Sequence, residues 1–228
     1  MNERGGKMVD FVVSDIHGCY LTFMKLLHRY YDKDTMRLVI LGDYLDKGAF
    51  PYEMYRFLKR HLNQANCIFL RGNHEQEFIE HALKTEQSCW YLQDGQYVLD
   101  QLTKNHVDIN EVKETFLTLP LFHETPAIFY SHAGVSIFKH NPLDPNDPCG
   151  LLWNRMTVAN IGKLQIYGHT PHLNGPFFQS FSQSYLIDTG VFLSGYLSAL
   201  IVDENGKVLQ IHKEKTDSRD LRRKEKHR

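Results

Sequence analysis

Val9-Asp10-Phe11-Val12-Val13-Ser14-Asp15-Ile16-His17-Gly18 is the stretch that opens the reading of this chain. Val9–Ser14 is short, apolar and β-branched, which predicts a buried strand. It runs straight into Ser14-Asp15-Ile16-His17-Gly18. Asp15 and His17 are two residues apart, so both can face one side of an extended strand end. Gly18 suits a tight turn. Tyr20, Met24, Leu27 and Tyr31 then recur at i, i+4, i+7 and i+11, the spacing of one helix face.

The same order follows twice more. Arg37–Leu41 predicts a second buried strand and ends in Gly42-Asp43-Tyr44-Leu45-Asp46-Lys47-Gly48. Tyr52–Leu62 is expected to be helical, with Met54, Phe57, Leu58 and Leu62 as its core stripe. Cys67–Leu70 predicts a third strand and ends in Arg71-Gly72-Asn73-His74-Glu75, with a helix over Glu75–Leu83. Alternating strands and helices imply parallel strands with crossover helices. Trp90–Leu119 is expected to be helical and shows no obvious chemistry.

Further strands are predicted at Ala127–Ser131, Leu164–Tyr167, Tyr185–Ile187, Tyr196–Val202 and Lys207–Ile211. Asp203-Glu204-Asn205-Gly206 is a hairpin turn signal, and the proline-rich Leu143–Gly150 predicts a loop. Two of these strands also meet polar clusters, Tyr130-Ser131-His132-Ala133-Gly134 and Tyr167-Gly168-His169-Thr170. Ligands of open α/β sheets bind beyond the carboxyl ends of the strands, so Asp15, His17, Asp43, Asp46, Asn73 and His74 are expected in one crevice. Singly, each cluster has an ordinary structural explanation: turn chemistry for Asp15 and His17, a helix cap for Asp43, a core histidine for His132 or His169. Five clusters at five strand ends exceed what those explanations require. Carboxylate, imidazole and amide oxygen without thiolate suit a divalent metal such as Mn, Fe or Zn.

Composition narrows the alternatives. The chain has 228 residues, 42% of them hydrophobic, with a net charge of −1, thirteen histidines and four cysteines. That is enough for a self-sufficient core and too apolar for disorder. No Cys-x-x-Cys pair is present, so a thiolate zinc site is not expected. No apolar run approaches the ~18 residues that span a bilayer, and polar Met1–Lys7 does not resemble a signal peptide. A cytoplasmic location with reduced thiols, no membrane partner and no nucleic-acid partner is therefore expected. Residues 213–228 hold eight basic and four acidic side chains, or +4; the other 18 basic and 23 acidic residues leave the body at −5. Residues 1–212 are expected to form a single catalytic domain, and 213–228 a charged, flexible and dispensable tail.

Taken together, SDIHG, GDYLDKG, RGNHE, SHAG and YGHT resemble the motifs of the phosphoprotein phosphatase family of calcineurin-like metallophosphoesterases. The likeness runs from about Val9 to Val202. RGNHEQ (71–76), LLWNR (151–155), YGHTP (167–171) and IDTG (187–190) are similar to the small bacterial and phage lambda-type branch. The resemblance implies an α/β (α+β) fold, a four-layer α-β-β-α sandwich of two mixed sheets flanked by helices. It implies two divalent metal ions, Mn²⁺ first with Fe or Zn as alternatives. Asp15, His17 and Asp43 would hold one; Asp43 would bridge to the second, completed by Asn73, His132 and His169. His74 would be the catalytic acid, paired with Asp46. Lys47, Arg155 and Asn73 would contact phosphate. The implied reaction is direct in-line attack of a metal-bridging hydroxide on phosphorus.

Two departures stand out. Ser14 replaces a family glycine ahead of the ligands. Lys47 replaces a family arginine and offers a point charge where arginine offers a bidentate fork, which bears on substrate affinity. The reading is a phosphomonoester hydrolase, a serine/threonine and possible tyrosine protein phosphatase acting on phosphoproteins or small phosphoesters. A diadenosine tetraphosphate hydrolase is the first alternative; Glu75, where that branch tends to have Asp, favours the phosphatases. A non-catalytic metal-binding module is the second. Oligomeric state stays open.

Overall fold

β1 (Val9–Val13) occupies the middle of a five-stranded sheet in the computed structural model, which describes residues 8–82, 88–138 and 141–222. Met1–Lys7, Leu83 and residues 223–228 of the expected tail, for which expectations were stated, lie outside them. β2 (Met36–Ile40) and β3 (Cys67–Phe69) follow in parallel on one side, with Val12 opposite Val39 and Leu38 opposite Cys67. β9 (Tyr196–Val202) lies antiparallel on the other side of β1, and β10 (Val208–Lys215) beyond it. The second sheet holds β4 (Phe122–Glu124), β5 (Ile128–Ser131), β6 (Leu164–Tyr167), β8 (Ser184–Leu186) and β7 (Phe177–Gln179), in that spatial order. Both sheets are mixed. The three-residue strands β4 and β7 have no counterpart in the sequence reading, being short edge strands whose side chains are mostly half-exposed or exposed.

Strand alternation divides the core in two. From β1, Val12 joins Val39, Leu200, Ile128, Tyr130, Ile166 and Ile187 between the sheets. Phe11 and Val13 point the other way, into a cluster with the helices. Each fully buried aliphatic or aromatic side chain contributes about 1.5–3 kcal/mol of hydrophobic stabilisation. A polar bolt crosses the inter-sheet layer: Tyr130 OH donates to Asp10 Oδ2 at 2.5 Å, and Arg37 grips the same carboxylate with two 2.8 Å bonds.

The helices α1 (Tyr20–Tyr30), α2 (Pro51–His61), α3 (Asn73–His81), α4 (Gln96–Lys104) and α5 (Ile109–Leu117) supply the other side of the first sheet's core. α1 buries Thr22, Phe23, Leu26 and Leu27. Its inward face is rotated from the expected Tyr20, Met24 and Tyr31, which are half-buried at its margin. The outer face of the second sheet, with Tyr167 and Leu186, packs on Val158 of the 132–163 connection. The hairpin turn forms as expected, with Asp203 Oδ1 accepting from the N–H groups of Asn205 and Lys207. All four cysteines are free thiols. No helix among the described residues is long and apolar enough to cross a membrane.

The expected tail is a correction. β10 continues to Lys215, past the boundary placed at 212, and residues 213–222 belong to the fold. Glu214 is buried and meets Arg29 at 2.7 Å, while Lys213 and Lys215 face outward over Tyr196. Asp220 is fully buried. Its carboxylate accepts from Leu21 N (3.0 Å), Thr22 N (2.8 Å) and Thr22 Oγ1 (2.5 Å). It thus caps α1, whose own N-cap residue, Cys19, makes no side-chain cap. Asp220 also accepts from Ala49 N through its carbonyl, and Leu221 bridges Gly48. A net charge averaged over 16 residues conceals three acidic groups with fixed partners, Glu214, Asp217 and Asp220. Asp220→Ala leaves buried N–H donors unmatched and should cost about 1–3 kcal/mol, read as a lowered urea midpoint with an unchanged slope.

Candidate binuclear metal centre

The five strand-end clusters come from two sheets and converge. Asp15 and His17 follow β1, Asp43 and Asp46 follow β2, and Asn73 and His74 open α3 just beyond β3. His132 follows β5 and His169 follows β6. Of the eight described non-glycine residues with positive φ, five lie here: Asp15 (52°), His17 (50°), Asp43 (58°), Lys47 (68°) and His169 (74°). Left-handed backbone is costly for such residues and concentrates at functional sites. At each strand end it turns the chain so that the side chain enters the crevice. Close backbone approach also needs glycine. A Cβ on Gly72 would collide with the Asp43 carboxylate, and one on Gly168 with that of Asp15.

Asp43 lies at the middle of the cluster. Its Oδ2 is 3.5 Å from His17 Nε2, and its Oδ1 is 3.5 Å from His132 Nε2. Asp15 Oδ1 is 4.0 Å from His17 Nε2. On the other side, Asn73 Oδ1, His132 Nε2 and His169 Nδ1 form a triangle with edges of 2.9, 2.9 and 3.1 Å. All six residues are buried. Two groups whose ligand atoms lie close enough for one ion, His17–Asp43–His74 and Asp15–Asp43–His132, share Asp43. Buried imidazole and oxygen atoms converging in this way match the donor set of a hard-to-borderline divalent cation. His17 Nδ1 and His169 Nε2 have no hydrogen-bond partner.

The electrostatics favour ligand-ready protonation states. Burial, then neighbouring Lys47, depresses His17 well below the ordinary histidine value. Burial and His132 push His169 down to about 2. Burial alone would raise Asp43, but His132, His74 and Lys47 outweigh it and hold the carboxyl at about 2. Neutral imidazoles and an ionised carboxylate are the forms that bind metal. Asp15, buried beside Asp43, is raised.

His74 lies at the rim. Its Nδ1 is 2.6 Å from Asp46 Oδ2 and its Nε2 is 3.9 Å from Asp43 Oδ2. Burial would lower it, but Asp43 and Asp46 carry it up to about 9. Lys47 Nζ donates to His17 Nε2 at 3.2 Å and stands 4.3 Å from the centre of the Phe192 ring. Arg155 is exposed and reaches Thr170 Oγ1 at 3.5 Å, one residue beyond His169.

Three participants escaped the sequence reading as members of the site. Glu75 is buried and accepts from the N–H groups of Asp43 (2.8 Å), Tyr44 (2.9 Å) and Gly72 (2.9 Å). Its bond to Gly72 N caps the start of α3 from the N3 position, and with the other two it fastens the Asp43 loop to that helix. The Gly72-x-x-Glu75 spacing is the signal that can reveal it. Burial lifts it to about 8. Asp188 is buried with Oδ2 unpartnered, raised by burial and by Asp15. Trp90, from the segment without obvious chemistry, donates Nε1–H to Asp46 Oδ2 at 2.7 Å.

The sequence model of calcineurin-like phosphoesterases matches residues 11–213. The chain belongs to that family. As a calcineurin-like phosphoesterase it is a metal-dependent hydrolase. It is 30% identical over 206 residues to serine/threonine-protein phosphatase 2 of Salmonella typhimurium, covering 82% of this chain and 90% of that one. It is 24% identical over 219 residues to the asymmetrical bis(5'-nucleosyl)-tetraphosphatase PrpE of Halalkalibacterium halodurans, covering 83% and 88%. A serine/threonine phosphatase structure from Saccharomyces cerevisiae superposes with a TM-score of 0.65 at 15% identity, over 94% of this chain and 82% of that one.

The pH dependence of the metal-stripped phosphoesterase follows from the raised groups. Folded His74 keeps its proton up to about 9, against an ordinary 6.5. Its contribution to stability is intact below 6.5 and lost as pH rises through 9. Glu75, raised to about 8, acts with the same sign. In excess chelator the thermal midpoint should fall between pH 6.5 and 9, and His74→Asn should flatten that fall.

Proposed function

We propose that this phosphoesterase is a serine/threonine protein phosphatase. The observation that carries the reading is the 2.6 Å His74–Asp46 pair at the rim of a donor set organised about Asp43. The similarity to the Salmonella phosphatase supports the substrate class. Asp15, His17 and Asp43 would hold one divalent cation, and Asp43, Asn73, His132 and His169 a second. When bound, two such ions neutralise phosphoryl oxygens and lower the pKa of water toward neutrality. Mn²⁺ is the proposed occupant, with Fe or Zn as alternatives, since all accept these ligands.

The chain's own residues supply the rest. Arg155 and Lys47 take the remaining phosphoryl charge, Lys47 as a point charge backed by Phe192. Asn73, beside His132 and His169, would also contact phosphate. Asp46 accepts the Nδ1–H of His74, which leaves the Nε2–H directed into the crevice for the departing alkoxide. The Asp46 carboxylate, 2.6 Å from Nδ1, favours the protonated imidazole. A cytoplasmic location and phosphoprotein substrates complete the proposal.

Hydrolysis of dinucleoside tetraphosphates is the second reading, favoured by the similarity to PrpE. Purified protein with Mn²⁺ should release phosphate from phosphoserine and phosphothreonine peptides faster than it cleaves diadenosine tetraphosphate; the reverse ranking selects the second reading. His74→Asn should keep metal binding and lose about 10²–10⁴ in turnover. Asp43→Asn should lose both, as followed by metal analysis and steady-state kinetics.

A further inference from the structure

Asp46 Oδ2 takes two hydrogen bonds, one from His74 Nδ1 at 2.6 Å and one from Trp90 Nε1 at 2.7 Å. The indole is 3% exposed. Its ring meets Phe78 edge-on, with centroids 5.6 Å apart at 76°. Phe78 lies one turn beyond His74 on α3. Behind the indole stands Gly95, where a Cβ would come within 2.6 Å of Trp90 Cε3. Gly95 closes a π-helical turn, Tyr91–Gly95, that leads into α4. Such turns are rare and frequently occur at functional sites. Trp90 is thus placed by α3, by the π turn and by Asp46 itself.

We infer that Trp90 is a positioning residue for proton delivery by His74, acting through Asp46. The inference rests on His74 as the proton donor. The terminal torsion of an aspartate is broad, so a carboxylate held by one imidazole can swing and carry the imidazole with it. A second donor on the same oxygen, fixed by packing, holds the carboxylate plane. That in turn holds the line from Nδ1 through the ring to Nε2. A buried indole N–H needs some acceptor. Here the acceptor is the oxygen that orients the proton donor, and the consequence is specific. Loss of the N–H should impair only steps that need a proton.

Leaving-group dependence tests this. Phenolate, whose conjugate acid has a pKa near 10 as for tyrosine, needs protonation on departure; 2,4-dinitrophenolate leaves without it. Trp90→Phe keeps an aromatic side chain and removes the N–H. It should lower kcat on phenyl phosphate about ten- to a hundredfold, the scale of a misplaced catalytic group, and leave kcat on 2,4-dinitrophenyl phosphate and Mn²⁺ affinity unchanged. Equal losses on the two esters, or no loss on either, overturn the inference. His74→Asn, run in parallel, should show the same selectivity. If it does and Trp90→Phe does not, only the Trp90 role falls. If His74→Asn is unselective, the proton-donor reading falls and takes the Trp90 role with it. Should Trp90→Phe fail to fold, Trp153→Phe leaves Trp90 as the sole tryptophan. Its indole proton resonance should then move when Asp46→Asn is added, and a resonance that does not move overturns the inference.

Discussion

Everything at the site is arranged around one buried carboxylate. Asp43 is 2% exposed and stands within 4 Å of His17, His74 and His132. A buried charge is expensive unless it is compensated. Here compensation comes from opposite sides, with the imidazole of His74 near Oδ2 and that of His132 near Oδ1, and with Lys47 adding its charge. The His74 backbone N–H also donates to Oδ1, at 3.1 Å. The backbone of Asp43 is equally constrained. Its φ is 58°, its N–H is held by Glu75, and its carbonyl accepts from His17 N at 2.9 Å. One residue therefore couples the ends of β1 and β2 to the start of α3, and its side chain reaches the end of β5.

Around this centre lies a ring of residues that act on the site by holding it. Glu75 joins the Asp43 loop to α3, Trp90 joins Asp46 to the π turn, and Asp220 joins α1 to the end of the chain. α1 begins two residues after Gly18, and Leu221 bridges Gly48, so the C-terminal segment touches the loops that carry His17 and Asp46–Lys47. The strain of five left-handed residues needs such over-determination to persist.

The fold and the candidate site differ in legibility for a physical reason. A strand followed by Asp-x-His-Gly or Gly-Asn-His-Glu is a local pattern, complete within ten residues, and so the first three strands, their order and their clusters stand out. The helix over Tyr20–Tyr30 was equally visible, but its inward face was not, because Tyr and Met at the margin weigh as much in a periodicity as Phe23 and Leu26 in the core. The edge strands β4 and β7 are three residues long and carry no alternation to detect. Residues 213–222 looked like a charged tail because composition does not distinguish Asp220, fully buried against two backbone N–H groups, from a solvated aspartate.

By itself, the sequence determined which residue types end each strand, and hence a family whose chemistry is metal-dependent hydrolysis of phosphoesters. Only the tertiary structure decided that Asp43 faces both groups of donors, that Trp90 joins His74 on an oxygen of Asp46, 44 residues before it, and that Asp220 caps a helix 198 residues away. Those contacts depend on directions and distances set by packing the sheets on each other and on the helices. Residues so far apart in the chain leave no periodicity or spacing by which they can be paired.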